Sequence, residues 1–401
     1  MHLALFHQHH HNPDCPATCR HYTFMTELAK RHSVTLIASN AWESIRITQQ
    51  YDWVPPGVEL LEIKVPYQNK MGIYQRLQAF GAFAAQALLK GLKMPKPDLI
   101  WGVSTPLTTA WAAGQVAKYR QLPWIFEVQD LWPSFPIQMG AVPWKPVQQQ
   151  LYRLEKSLYR RASHIITLSP DMEQYVRRQG ISAHKVTDLV NGTEVANAQV
   201  PVAQAAVLKQ QWGLTGKQVV LYAGTYGRAN DIPVLVAAAK RLKDHPTLHF
   251  VFAGHGFHEP LLQEAAREQT NILLLPPQPR HQVFQLFSIA DVSLVSFIDL
   301  PVLQANSPGK FFDSLAAGVP VVVTNAGWTK TLVEQHACGW YVPAGDAEQL
   351  AVSLQQHLAN REQLAMMRKN AVQVARAQFD RLQMLPKLEE IFQKVVSESR
   401  R

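Results

Sequence analysis

Three cysteines in 401 residues exclude a disulfide scaffold. Cys15 and Cys19 form a CxxxC spacing that fits neither a zinc knuckle nor a redox pair, and Cys338 stands alone. No run of about 18 apolar residues occurs, so no segment is expected to span a bilayer. The opening MHLALFHQHHH has too short an apolar run for a secretion signal and lacks a small-residue cleavage site, so a cytoplasmic location is expected. Low-complexity tracts are missing. Arginine-rich runs with interleaved aromatics are missing too, which argues against nucleic acid as a partner. Acidic residues are the scarcer sign, 30 against 39 Lys and Arg, for a net charge of +9. About two thirds of that excess falls in residues 1–200. A positive half suits a phosphate-bearing substrate or an anionic membrane surface. What remains, 47% hydrophobic and 17% charged, is the composition of a soluble globular protein long enough for two full cores.

Short apolar runs alternate with longer amphipathic ones. His2–Phe6, Ser33–Ala38, Leu99–Val103, Trp124–Val128 and His164–Thr167 read as strands, set against helices such as Tyr22–Arg31, Val147–Arg161 and Met172–Gln179. Val195–Val207 has little periodicity and suits a linker. The alternation then restarts with strands at Gln218–Ala223, His249–Ala253, Asn271–Leu275 and Val292–Phe297. The expected fold is α/β: a doubly wound domain over 1–200, a second over 203–380, and a last helix, about 381–401, that packs on the first.

Ala305–Val323, ANSPGKFFDSLAAGVPVVV, carries the most chemistry. Asn306, Ser307, Pro308 and Gly309 form a loop, Lys310 and Asp313 lie on the helix that follows, and Gly318 ends that helix before an apolar strand. Free N–H groups and a lysine at a helix start suit a diphosphate, and a carboxylate one turn on suits ribose hydroxyls. Gly224, Thr225, Tyr226, Gly227 and Arg228 follow a strand; glycines admit a phosphate to the backbone, and Arg228 offers a bidentate contact. A plain strand–helix turn with a solvated arginine is the competing reading.

VVLYAGTYGR (219–228), HFVFAGHG (249–256), ADVSLVSF (290–297), NSPGKFFDSLAAGVPVVV (306–323) and EQHACGWYVP (334–343) followed by Asp346 together resemble the retaining GT-B glycosyltransferases of family 4. EVQDLWP (127–133) with Leu151–Arg178 resembles bacterial members that build O-antigen, capsule and exopolysaccharide, in particular the WbuB-type N-acetylfucosaminyl transferases. The resemblance implies two Rossmann-like domains facing an interdomain cleft. It also implies a UDP-linked sugar as co-substrate, with no metal and no further cofactor. Gly224, Thr225, Gly227, Gly254 and residues 306–310 would line the donor site. Arg228 and Lys310 would hold the diphosphate and stabilise the departing nucleotide, and Asp313 would bind the ribose. The family's sugar-facing glutamate falls on Ala305, a departure that fits a donor such as a 6-deoxy amino sugar. The acceptor it implies is a glycan on undecaprenyl diphosphate.

On the acceptor side, His7, Gln8, His9, His10 and His11 follow the first strand. Adjacent histidines do not converge on one ion without special geometry, so a polar loop with one or two substrate contacts, His9 foremost, is the favoured reading over a metal site. Arg20 and His21 open the first helix, where a phosphate or nothing at all could be met. Asp130, beyond the strand at 124–128, is the candidate acid/base, ahead of Glu127, which could equally pair with a basic neighbour. Met71–Lys96 sets Ile73, Leu77, Phe80, Phe83 and Leu88 against Lys70, Arg76, Lys90, Lys93 and Lys96. That pattern reads either as a peripheral contact with the inner-membrane surface or as a core helix with a solvated basic face. Two rival functions stay open: a UDP-sugar 2-epimerase-like enzyme, and a catalytically silent nucleotide-binding subunit.

Overall fold

The computed structural model describes residues 1–68 and 71–400; Lys70 lies outside the described residues. The chain divides into two compact units: Met1–Val190 with Ala305–Ser307 and Leu382–Arg401, and Asn191–Gln304 with Pro308–Arg381.

The first unit is built on seven parallel strands: β1 (His2–Phe6), β2 (Ser33–Ser39), β3 (Val58–Ile63), β4 (Leu99–Val103), β5 (Trp124–Val128), β6 (His164–Thr167) and β7 (Val186–Asp188). Their order is β3-β2-β1-β4-β5-β6-β7, so the strand order reverses between β1 and β4. β4, β5 and β6 are buried at every residue, as a sheet covered on both faces requires. The second unit has six parallel strands: β8 (Gln218–Ala223), β9 (Leu248–Ala253), β10 (Ile272–Leu275), β11 (Val292–Val295), β12 (Val321–Val323) and β13 (Gly339–Tyr341). Here the order is β10-β9-β8-β11-β12-β13, with the reversal between β8 and β11. Ligands of such sheets bind outside the carboxyl ends of the strands at the reversal. Both units are therefore the doubly wound, Rossmann-like α/β type.

Two segments differ from the sequence reading. Val195–Val207, read as linker, runs into a helix at Val202–Gln211; its low amphipathicity hid it, and none of its residues is buried. Helix Ile73–Lys93 buries Ala79, Phe80, Phe83, Ala84 and Ala87, so two of the five apolar positions grouped as one stripe belong to the core. Ile73, Tyr74 and Leu77 near its start and Leu89 and Leu92 near its end are exposed. The helix thus packs on the core while leaving apolar side chains exposed near both ends. No helix among the described residues is long and apolar enough to cross a membrane.

Candidate functional site

β8 ends at Ala223, and the chain turns away at Gly224 with φ +142°, a value L side chains rarely adopt. A Cβ there would lie 3.2 Å from Cε of Lys310. After β9, Gly254 has φ +153°, and a Cβ on it would fall 1.9 Å from the Gly224 carbonyl oxygen. The two turns pack backbone on backbone. They are joined by Tyr226 N–H to the His255 carbonyl (2.8 Å) and His258 N–H to the Tyr226 carbonyl (2.9 Å).

Lys310 comes from helix Gly309–Ala316. Gly318 closes that helix at φ +70°, and the Val319 N–H reaches back to the Ser314 carbonyl at 2.9 Å. Lys310 Nζ donates to the Tyr222 hydroxyl at 2.7 Å and sits 3.9 Å from the centre of that ring. The hydroxyl in turn donates to the Thr225 carbonyl at 2.8 Å. No carboxylate pairs with Lys310 among the described residues, and burial lowers its pKa to about 7. Arg228 is exposed, its guanidinium 4.0 Å above the Phe257 ring, and it too lacks an ion pair among the described residues. Burial and the Arg228 charge together lower the pKa of His258. Two cations without counter-charge, beside turns that admit a close backbone approach, suit a polyanion such as a diphosphate.

Asp313, one turn beyond Lys310, has other partners. Its Oδ1 accepts from Thr193 Oγ1 (2.6 Å) and Arg280 Nη2 (2.8 Å), and its Oδ2 accepts from Arg280 Nη1 (2.6 Å). Arg280 also donates to Glu194 (2.6 Å), and Glu194 pairs with Arg381. The four charges of this buried chain balance. Any ribose hydroxyl would have to use the acceptor capacity left on Oδ2. Asn306 and Ser307 are grouped with the first unit, whereas Pro308, Gly309 and Lys310 belong to the second.

In the first unit the acceptor-side candidates separate into two sets. Arg20 is buried, donates to the Val190 and Leu189 carbonyls (2.5 and 3.0 Å) and pairs with Glu127 at 3.4 Å. His21 Nε2 lies 3.1 Å from Glu127 Oε1. Glu127 also accepts from the Trp101 indole at 3.1 Å. Burial raises its pKa, but His21 and Arg20 outweigh this and hold it at about 2. These three therefore form a closed cluster. Asp130 is different: half-buried, with only a 3.5 Å contact among the described residues, from the Thr105 hydroxyl to its carboxylate, and pushed up to about 6 by burial. That is the range of a usable acid/base. His9 is half-buried, with Nδ1 2.7 Å from the Trp42 indole nitrogen.

Sequence reasoning missed Tyr222, Phe257 and Arg280. Tyr222 sits in an apolar strand and reads as core. Phe257 and Arg280 carry no motif, and only the packing of neighbouring turns places them.

The profile of a glycosyl transferase 4-like domain matches residues 22–192, and that of the glycosyl transferases group 1 matches 205–374. Among curated relatives, the colanic acid biosynthesis protein WcaI of Escherichia coli (strain K12) is 26% identical over 265 residues, 64% of this chain and 65% of its own length. A GDP-mannose-dependent alpha-mannosyltransferase of Mycobacterium tuberculosis is 21% identical over 69% of this chain and 68% of its own. The chain spans a little under two thirds of the length of the first curated relatives it matches. Among solved structures, Anabaena HepE in complex with UDP-glucose superposes with a TM-score of 0.73 at 18% identity, covering 98% of this chain and all of that one. WaaG, a glycosyltransferase involved in lipopolysaccharide biosynthesis, gives 0.65 at 15%, covering 96% and 98%. At these identities the structural likeness is one of fold.

Proposed function

We infer that this chain, a GT-B glycosyltransferase by its fold and its two matched domains, transfers a hexosyl group from a UDP-linked donor to a lipid-linked or polysaccharide acceptor. One observation carries the reading: Lys310 and Arg228, both without counter-charge among the described residues, stand at the packed glycine turns beyond β8 and β9. As the sugar–phosphate bond breaks, charge builds on the diphosphate oxygens, and the two cations stabilise it there. UDP is preferred to GDP because HepE binds UDP-glucose on the same fold. Transfer is proposed to be retaining and metal-independent, the donor phosphate taking the acceptor proton, with Asp130, whose pKa burial pushes up to about 6, as the candidate carboxyl to assist. The sugar is proposed to be an N-acetylated 6-deoxy amino sugar, since Ala305 offers no carboxylate to a hydroxyl. Support for a lipid-linked acceptor comes from the exposed apolar side chains of helix Ile73–Lys93, where Tyr74 is 79% and Leu77 59% exposed on a helix that also carries Arg76 and Lys90.

Calorimetry with UDP, GDP and UDP-glucose, followed by a donor-hydrolysis assay, tests the core of this. Micromolar UDP binding and slow hydrolysis of a UDP-sugar are expected; binding of neither nucleotide would remove the assignment. Replacing Leu77 and Leu89 together by Asp should release the protein from vesicles containing anionic lipid. Unchanged sedimentation of the variant would refute the membrane contact.

A further inference from the structure

Both cations at the packed glycine turns rest on aromatic rings. Lys310 Nζ lies 3.9 Å from the centre of the Tyr222 ring, and the Arg228 guanidinium lies 4.0 Å from that of Phe257. The two rings differ in what else they do. Tyr222 is buried in the core of the second unit, whereas Phe257 is 58% exposed and takes no part in that core. Its one other ring contact among the described residues is an edge-on approach to His258 at 5.0 Å. So exposed a ring gains little from the hydrophobic effect, which leaves its place beside a cation to be explained. The backbone fixes that place. Gly256 has φ +149°, and a Cβ on it would lie 2.9 Å from the Tyr226 nitrogen. With the two hydrogen bonds between the turns, this sets Phe257 against the segment that carries Arg228. A ring holds a guanidinium differently from an acid. A carboxylate would neutralise Arg228 and would have to be displaced by an arriving diphosphate. A ring face attracts the cation through its quadrupole and leaves the charge and the N–H edge free. The Arg228 side chain has no hydrogen bond or ion pair among the described residues to compete. A long exposed side chain loses rotamer freedom when it meets a ligand, and the ring takes part of that loss in advance.

We propose that Phe257 is a positioning residue for the transfer reaction: its exposed ring is a shelf that holds the Arg228 guanidinium, with its charge uncompensated, ready for the diphosphate of the donor. This rests on the nucleotide-sugar reading for the identity of the ligand but not for the contact between ring and guanidinium.

Phe257→Leu keeps the apolar bulk and loses the ring face, whereas Phe257→Tyr keeps both. In NMR spectra of the ligand-free chain, the Arg228 δ-methylene and Nε–H protons should lie upfield through the ring current of Phe257. They should stay there in Phe257→Tyr and return towards ordinary values in Phe257→Leu. Calorimetry with UDP-glucose should show an affinity about fivefold weaker in Phe257→Leu, the factor that an exposed cation–π contact corresponds to, and unchanged in Phe257→Tyr. Arg228→Gln should lose about tenfold or more, the size of a charge-assisted hydrogen bond. Adding Phe257→Leu to that variant should lose nothing further, because the ring acts only through the guanidinium. Thermal melts check that each variant folds. The same loss persisting in the Arg228→Gln background would mean that the ring meets the ligand itself, and would overturn the proposal. A Leu variant that binds like wild type, or Arg228 signals indifferent to the ring, would overturn it too. If UDP-glucose binds and the two residues do not couple, only this inference falls. If UDP-glucose does not bind the wild-type chain, the functional reading falls, while the spectra still decide whether the ring holds Arg228.

Discussion

Raising the pH through 7 should loosen UDP-glucose from this chain, because the buried cation of the second unit is then lost. Lys310 rests on the Tyr222 ring, its only hydrogen-bond acceptor among the described residues is a neutral hydroxyl, and burial brings its pKa down to about 7. Lysine is charged below its pKa, so the diphosphate meets a cation at pH 6 and mostly a neutral amine at pH 8. UDP-glucose is the right probe, since its diphosphate is esterified at both ends and does not itself titrate here. If binding requires the charged form, the apparent Kd scales as 1 + 10^(pH − 7) and rises about tenfold from pH 6 to 8, about 1.4 kcal/mol. At pH 7.5 roughly three quarters of Lys310 is neutral, so titration calorimetry in buffers of different ionisation enthalpy should report uptake of about 0.8 proton. Lys310→Met should weaken binding at pH 6 by about 1.5–3 kcal/mol, a charge-assisted hydrogen bond, and should flatten the profile. A wild-type Kd that stays level from pH 6 to 8, or a Met variant that keeps the slope, would refute the reasoning.

Other perturbations probe the frame around that site. Gly254→Ala puts a Cβ 1.9 Å from the Gly224 carbonyl oxygen at a φ that L residues avoid; urea titration should show about 2–4 kcal/mol of lost stability, together with weaker UDP binding. Arg280→Ala leaves the Asp313 carboxylate buried without its bidentate partner and should cost about 3–5 kcal/mol in the same assay. Glu155, buried between the hydroxyls of Tyr159 (2.8 Å) and Tyr175 (3.1 Å), is pushed up to about 7 by burial. A carboxyl raised above its unfolded value supports the fold fully below the ordinary carboxylate range and loses that support as pH rises through 7. The melting temperature should therefore fall between pH 6 and 8, by the equivalent of about 1.4 kcal/mol, and Glu155→Gln should remove the fall.

The doubly wound pattern is legible in the sequence because its strands are unbroken apolar runs between turn residues, and periodicity marks such runs directly. The glycine turns at 224 and 254 are legible for a related reason: glycine is the only residue whose absence of a side chain is itself a signal. What stays hidden is pairing. Lys310 and Tyr222 are separated by 88 positions and Asp313 and Thr193 by 120, and no local rule links such residues. The same limit explains helix Ile73–Lys93, where hydrophobicity marks two faces alike and only burial tells Phe80 from Tyr74.

Lys310 is the position at which the cost of the unliganded state concentrates. It lies in the first turn of helix Gly309–Ala316, where the partial positive charge of the free N–H groups disfavours a cation. Pro308 precedes the helix without a side-chain cap, so those N–H groups gain nothing from one. The half-buried ammonium faces no carboxylate among the described residues, while Asp313, the nearest acid on its own helix, is committed to Arg280 and Thr193. A lysine serving stability alone would be placed at the other end of the helix or beside an acid. A bound diphosphate would relieve every one of these costs at once: it would neutralise the ammonium, accept from the uncapped N–H groups and meet Arg228 from the neighbouring turn. Local arrangements that break several rules together, and that one ligand would repair, are where function is expected to reside. By that argument Asp313 belongs to the support of the site, because its charge is already satisfied in the free protein.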